Sequence, residues 1–297
     1  MTNYMEEFRR CFRQLARQHD GSRVFADFVE AAAISLRQPI YQNPEEEKRY
    51  MDIIKPYTRE QVNLLPELLG ITVVALEKKP HDFLGTVFQS LELNSRELAQ
   101  YFTPGCICKL IGSCLFSKEK VEQCIRQKGY VTLSDPACGS GGMLIEVIRS
   151  FRELGFNPHT QLLIDANDVS HVAVCMVYIQ LTLLGAAAVI SRRNTITQQN
   201  FYTYHTPVFF WENWPERQKD GHILESNNAS CHFRRLPSLN RLPNNRHGVP
   251  RHRWRSRFRI CPSKLTASLN SIFKRFCAVR RATQVERAEQ KTTREQL

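Results

Sequence analysis

One eight-residue stretch combines the residue types that a ligand-binding turn requires. Residues 135–142 are Asp-Pro-Ala-Cys-Gly-Ser-Gly-Gly, and an amphipathic segment, 143–154, follows directly. Glycines permit positive φ angles and let a ligand lie against the main chain. The first N–H groups of the following helix are available to a carboxylate or phosphate, and Asp135 can accept hydrogen bonds from a ligand ammonium group. The pattern predicts a binding turn between a strand and a helix.

The spacing of these glycines excludes two common phosphate-binding motifs. Leu144 occupies the third glycine position of the dinucleotide fingerprint, which excludes an NAD-binding oxidoreductase. The Gly-Lys-Ser/Thr of a P-loop is absent from the sequence. A second acid is expected at the end of the next strand to hold a ribose, and Asp165 and Asp168 are the candidates. Asp168 directly precedes a predicted helix, so ribose binding and helix capping explain it equally well.

The elements around this turn alternate between strand and helix. Strands are predicted at 130–134, 161–166 and 187–191, with a fourth at 206–211, and helices at 143–154 and 169–184. This alternation predicts an α/β fold with a doubly wound, mostly parallel, Rossmann-like sheet.

The first 98 residues show apolar residues at helical spacing and predict an all-helical N-terminal region. One helix is predicted over 24–36, ending before Pro39. Others begin at Pro44 and at Thr58, with Gln61 in the capping-box position. A further helix is predicted from Thr103 to about residue 115. The predicted domains are therefore a helical region at 1–98, a sheet domain at 99–214 and a tail at 215–297.

The basic charge of the chain is confined to that tail. The net charge is +12, yet residues 1–214 hold 22 Lys and Arg against 23 Asp and Glu. Residues 215–297 hold 19 against 6, and 15 of the 19 are arginines. A hydrophobic content of 42% excludes collagen-like and wholly disordered chains, but the tail lacks periodicity and is predicted to be poorly ordered.

The cysteines and the longest apolar run indicate a cytoplasmic protein. The ten cysteines form no regular framework, and charged residues interrupt the N-terminus, so no signal peptide is expected. We expect reduced thiols and no metal site. Residues 172–190 are almost continuously apolar, but Gly185 divides them into a helix-like part and a strand-like part, as in a buried sheet domain. No membrane association is expected.

Residues 135–142 resemble the S-adenosylmethionine-binding motif of the N6-adenine DNA methylases of type I restriction-modification systems. Upstream, Phe102-Thr103-Pro104 is similar to the Phe-Thr-Pro segment of that family, although Ala99 stands where the family usually has Gly. Downstream, Asp168 and residues 178–185 are similar to the second motif of the family. Asn194-Thr195 resembles its Gly-Asn-Thr segment, with Arg193 replacing the Gly. The resemblance covers residues 100 to 211.

The resemblance implies an adenine-specific DNA methyltransferase with S-adenosylmethionine as cofactor. Asp135 would contact the methionine amino group, Thr103 the methionine end and Asp168 the ribose. The methyl group would pass to N6 of an adenine rotated out of DNA. DNA is the implied partner, together with a specificity subunit or a partner methylase subunit. The implied cofactor-binding residues are Phe102, Thr103, Pro104, Asp135, Ala137, Gly139, Ser140, Gly141, Gly142, Asp168 and Asn194.

The adenine-binding motif of that family, Asn/Asp-Pro-Pro-Tyr/Phe, is missing, because the chain contains no Pro-Pro dipeptide. Asn213-Trp214-Pro215 is a faint imitation of it, and no catalytic residue is assigned. One alternative is a non-catalytic regulatory subunit that binds cofactor and DNA. Another is a truncated methylase whose reading frame changes near residue 215, which codon usage beyond that point would test. Residues 251–259, where Arg alternates with other residues, predict nucleic-acid binding or a solvated basic tail.

Overall fold

The structure is a computed structural model that describes residues 4–91, 103, 107–108 and 117–218. All of these belong to the first of two units into which the chain divides, Met1–Asn228 and Ala229–Leu297. Most of the predicted tail lies outside the described residues, as do Phe102, Pro104 and most of the helix predicted after Thr103.

The N-terminal region is helical throughout its described part, as predicted. Its helices are α1 (Tyr4–Leu15), α2 (Gly21–Tyr41), α3 (Pro44–Ile54), α4 (Arg59–Lys78) and α5 (Phe83–Ser90), with a 3-10 turn at Ala16–Gln18. The predicted capping box of α4 is confirmed, since Gln61 N–H donates to Thr58 Oγ1 at 3.3 Å and Thr58 N–H donates to Gln61 Oε1 at 2.9 Å. Aromatic rings from α1, α2 and α5 form the core of this region.

The predicted end of the second helix before Pro39 is wrong. Helix α2 continues to Tyr41 and ends at Gln42 in the left-handed conformation, with φ of 45°. Proline removes one helical hydrogen bond, but tertiary contacts of the last turn offset that loss. Gln38 is buried and its Nε2 donates to Asn43 O at 2.8 Å, while the Tyr41 hydroxyl accepts from His205 N–H at 2.8 Å.

The second half forms a four-stranded sheet in the order β1-β2-β3-β4. Its elements are α6 (Lys118–Lys128), β1 (Val131–Asp135), α7 (Gly142–Glu153), α8 (Pro158–Gln161), β2 (Leu162–Asp168), α9 (His171–Leu183), β3 (Ala187–Asn194), β4 (Gln199–His205) and α10 (Pro207–Trp211). Strands β1, β2 and β3 are parallel, and β4 runs antiparallel to β3. The α/β class and the mostly parallel sheet are confirmed. The doubly wound, Rossmann-like order remains a prediction, because the described strands follow one another in sequence order.

The fourth strand was predicted in the wrong place. Residues 207–211 form the short helix α10, and β4 lies immediately before it. Pro207 cannot donate to a strand ladder but suits the first turn of a helix. Thr206 ends the sheet instead: its Oγ1 accepts from Ala188 N–H at 2.9 Å and donates to Ala186 O at 2.7 Å.

The long apolar run is divided as its sequence predicts. It supplies α9, of which the residues from Ala173 to Thr182 are buried, and the start of β3. Gly185 joins them with a φ of 69°. Among the described helices, none has both the length and the apolar character that crossing a membrane requires.

The pH dependence of stability is expected to include a contribution from His205. Its ring is buried against Phe209 and Phe210, and this burial lowers its pKa to about 4. The unfolded chain takes up the proton near pH 6.5 and the folded chain does not, so stability present above pH 6.5 falls as the pH drops towards 4. This loss amounts to up to about 3 kcal/mol.

The variant His205→Phe keeps a ring in the same space and removes the titrating group. Urea unfolding at several pH values between 7 and 4 is expected to give the variant a flatter profile than wild type. Parallel profiles for the two proteins would contradict the prediction.

Candidate functional site

The glycine turn joins β1 to α7 at the carboxyl end of the parallel strands. Gly139 and Gly141 have φ angles of 55° and 94°, which side chains rarely permit. Gly141 N–H donates to Cys138 O at 2.9 Å and closes the turn. A Cβ atom at Gly141 would lie 2.7 Å from Val177 Cγ2 of α9. The turn is therefore pressed against the neighbouring helix, and glycine is required there for both conformation and space.

Asp168 fastens this turn to the end of β2. Its Oδ2 accepts from Gly139 N–H at 2.9 Å, and its Oδ1 accepts from Ser170 N–H at 2.8 Å. Cys138 N–H also donates to Asn167 O at 2.9 Å. The side-chain cap of α9 is Ser170, which accepts from Ala173 N–H, so capping does not explain Asp168. The ends of two parallel strands are thus linked through one carboxylate.

Asp135 is the second carboxylate at this edge. Its Oδ1 accepts from Ala137 N–H at 3.1 Å, and Ala137 itself is exposed. Burial raises the pKa of Asp135, and the charge of Asp168 raises it further, against the opposing effect of the Ala137 amide. A cationic ligand beside Asp135 would favour the ionised form of this carboxyl group.

The first turn of α7, which follows the glycine turn, has no side-chain cap. Helices α2 to α6, α8 and α9 each begin with a side chain that accepts a backbone N–H. Helix α7 begins at Gly141 and has no side-chain cap. A ligand carboxylate or phosphate suits such a helix start. The site therefore presents anion-binding amides and cation-binding carboxylates a few residues apart.

Asp165, the other candidate acid, is engaged within the sheet. It accepts from Ser134 Oγ at 2.9 Å and from Asn167 Nδ2 at 3.2 Å, and burial raises its pKa. Side chains alternate along a strand, so Asp165 and Asp168 lie on opposite faces of β2. Of these two acids, Asp168 is the one bonded to the glycine turn.

The remaining predicted residues have different placements. Asn194 lies in the β3–β4 hairpin, where its Oδ1 accepts from Ile196 N–H and Thr197 N–H, both at 3.1 Å. Thr103 is exposed, and its carbonyl accepts from the Cys108 thiol at 3.4 Å. The cofactor roles of Asn194 and Thr103 remain predictions, and Phe102 and Pro104 lie outside the described residues.

The Asn213-Trp214-Pro215 segment lies at the opposite end of the sheet. Trp214 is fully buried, its Nε1 donates to His159 O at 3.3 Å, and its ring meets Tyr130 edge-on at 5.0 Å. Tyr130 precedes β1 and Asp135 ends it, a separation of about 16 Å along the strand. The segment therefore packs at the amino end of β1. Its sequence is similar to an adenine-binding motif, but it lies at the end of the sheet opposite the glycine turn.

Three residues of this edge were given no individual role from sequence, although Gln180 lies in the segment 178–185 that resembles the second family motif. Asp82 of the helical region contacts Ser140 of the turn, and Gln180 of α9 contacts both. Val169 is 55% exposed directly after Asp168 and offers an apolar surface beside the acid. From sequence, Asp82 was only one residue of the region predicted to be helical, and the structure shows it to be the N-cap of α5. Within the described ranges, no group of His, Cys, Asp and Glu suits a metal ion.

Comparisons with known proteins relate the chain to methyltransferases. A model of the N-6 DNA Methylase family matches residues 82–222. The chain is also similar to the tRNA (guanine(10)-N2)-dimethyltransferase of Methanocaldococcus jannaschii, at 34% identity over 108 residues. That match covers 34% of this chain and only 28% of the relative. No solved structure matches the chain.

Proposed function

We propose that the protein methylates adenine N6 in DNA, using S-adenosylmethionine, because a model of the N-6 DNA Methylase family matches residues 82–222. The family match supports a methyltransferase. The finer proposal places the protein in a restriction-modification-like system, with DNA and a specificity or partner methylase subunit as its partners. One observation supports the proposed cofactor site most directly. The carboxylates of Asp135 and Asp168 flank a glycine turn, and this turn leads into a helix without a side-chain cap.

The donor set suits S-adenosylmethionine, which combines an ammonium, a carboxylate, a ribose and a positively charged sulfur that carries the methyl group. Asp135 would accept hydrogen bonds from the ammonium, and the first amides of α7 would bind the carboxylate. Asp168 keeps lone pairs for ribose hydroxyls beyond its two backbone bonds. Binding of the ammonium beside Asp135 would favour the ionised form of that carboxyl group.

Methyl transfer to an exocyclic amine depends mainly on holding donor and acceptor in line. The described residues would hold the methyl donor, S-adenosylmethionine. The sequence lacks the Pro-Pro loop that binds the adenine in the resembling family, and this favours a second candidate, a non-catalytic subunit that binds cofactor and DNA. The name of the archaeal relative adds a third candidate, transfer to a guanine amine in tRNA.

Calorimetry of the full chain with S-adenosylmethionine tests the cofactor site. The variant Asp135→Asn is expected to bind at least about ten-fold more weakly, because it loses the charge that faces the ammonium. Asp165→Asn is the matched control, since that acid lies on the neighbouring strand and is bonded within the sheet. Absence of binding by wild type, or equal binding by both variants, would refute the proposed site.

A transfer assay with a labelled methyl group separates the candidates. The isolated chain is incubated with adenine-containing duplex DNA or with tRNA. Label in DNA supports the proposal and excludes the non-catalytic candidate. Label in tRNA alone would identify tRNA as the substrate in place of DNA. Cofactor binding without methyl transfer would favour the non-catalytic subunit.

A further inference from the structure

Asp82 lies where the helical region meets the glycine turn. It is the N-cap of α5, and its Oδ1 accepts from Gly85 N–H at 2.9 Å. The family match begins at this residue, so α5 belongs to the matched segment although it extends the helical region.

The carboxylate of Asp82 also bonds the turn directly. Ser140 Oγ donates to Asp82 Oδ2 at 2.5 Å. Ser140 is 1% exposed and lies between the two glycines that have positive φ angles. Its side chain is thus oriented by a residue 58 positions earlier in the chain.

Gln180 of α9 completes the junction. Its Nε2 donates to Asp82 Oδ1 at 2.9 Å and to Ser140 O at 2.8 Å, and its Oε1 accepts from Leu84 N–H at 3.2 Å. Gln180 is fully buried in the middle of an apolar helix. A buried amide is costly unless it is satisfied, and here both of its ends are bonded to this junction.

Two glycines allow α5 and the turn to approach so closely. A Cβ atom at Gly85 would overlap the side chains of Asp82 and Ser140. A Cβ atom at Gly142 would lie 3.2 Å from Asp82 Oδ2. The junction therefore has little freedom to change its geometry.

We propose that Asp82 is a positioning residue of the cofactor site, which acts through Ser140 to hold the turn and the start of α7 in their binding geometry. Its effect on cofactor binding rests on the proposed function, whereas its effect on the turn does not. The helical region is then part of the binding apparatus, and a displacement of α5 is expected to change the affinity of the turn for its ligand.

Hydrogen exchange of the ligand-free full chain tests the positioning role. Asp82→Ala and Ser140→Ala are expected to accelerate amide exchange in a peptide that spans residues 138–144, by about ten-fold or more. Asp20→Ala is the matched control, because Asp20 caps α2 through Arg23 N–H at 2.9 Å in the same helical region. If the amides of this peptide exchange at the same rate in the Asp82 and Asp20 variants, the proposal is overturned.

Cofactor affinity gives a second readout. Asp82→Ala is expected to weaken S-adenosylmethionine binding by about ten-fold or more, and Asp82→Asn to recover part of the affinity, because an amide can still bond Gly85, Gln180 and Ser140. Asp20→Ala is expected to bind as wild type does. If wild type and Asp82→Ala bind S-adenosylmethionine equally well, the positioning role is refuted but the proposed function is not. If wild type does not bind, the proposed function fails, and the exchange experiment still decides the positioning role.

Discussion

Replacing Gly141 by alanine is expected to weaken S-adenosylmethionine binding more than a hundred-fold and to lower the free energy of unfolding by about 2–5 kcal/mol. Two costs combine at this residue. Its φ of 94° is strained for any residue with a side chain, and the new Cβ would lie 2.7 Å from Val177 Cγ2. Relief of the clash requires the turn to move away from α9, which displaces the amides that would bind the ligand.

Gly129→Ala separates the two costs. Gly129 ends α6 with a φ of 78°, and a Cβ atom there would have no neighbour within 4 Å. This variant carries backbone strain alone, of about 1–2 kcal/mol, and is expected to bind the cofactor normally. Calorimetry and urea unfolding of both variants measure the difference. Similar losses of stability and affinity in the two would contradict the steric role of Gly141.

The second large effect is expected at the buried ion pair of the helical region. Glu46 Oε1 accepts from Arg37 Nη2 at 2.7 Å and from Arg37 Nε at 2.8 Å, and both side chains are almost fully buried. The Arg37 guanidinium also lies 3.9 Å from the ring centroid of Tyr204 on β4. Glu46→Ala leaves this cation buried without its anion, and is expected to cost about 3–5 kcal/mol of unfolding free energy.

Denaturant unfolding measures that cost against a neighbouring control. Glu47→Ala alters an exposed acid in the same first turn of α3 and is expected to change stability by less than about 1 kcal/mol. The double variant Arg37→Met with Glu46→Leu removes both charges and is expected to recover most of the loss. If the double variant is as unstable as Glu46→Ala, the loss of unfolding free energy is not caused by an unpaired buried charge.

The parts of this fold that sequence predicts best are those in which local signals agree. The glycine turn, the amphipathic helix after it and the second acid all predicted a binding site at the carboxyl ends of the strands, where Asp135 and Asp168 lie. Spacing alone left Asp165 and Asp168 open, and the family resemblance selected Asp168; the structure adds that Asp168 accepts a hydrogen bond from Gly139 N–H.

The predictions that failed depended on distant partners. Pro39 is a local signal for a helix end, yet α2 continues to Tyr41, whose hydroxyl accepts from His205 N–H of β4. The aromatic run at 207–211 has the composition of a strand, but Pro207 and the bonds of Thr206 make it a helix. Asp82 carries only the sequence signal of a helix cap, and its bond to Ser140 arises from a contact across 58 residues.

The junction of Asp82, Ser140 and Gln180 also has a consequence for the order of folding. Asp82 and Gln180 are 98 residues apart, so their bond is a late, non-local contact with a substantial loop-closure cost. Segments near the N-terminus leave the ribosome first, and the helices before α5 bring together aromatic residues without help from the sheet. The glycine turn receives its last supports only after residue 180 has been synthesised. We therefore expect the aromatic residues of α1 and α2 to come together in the nascent chain before the binding site is complete.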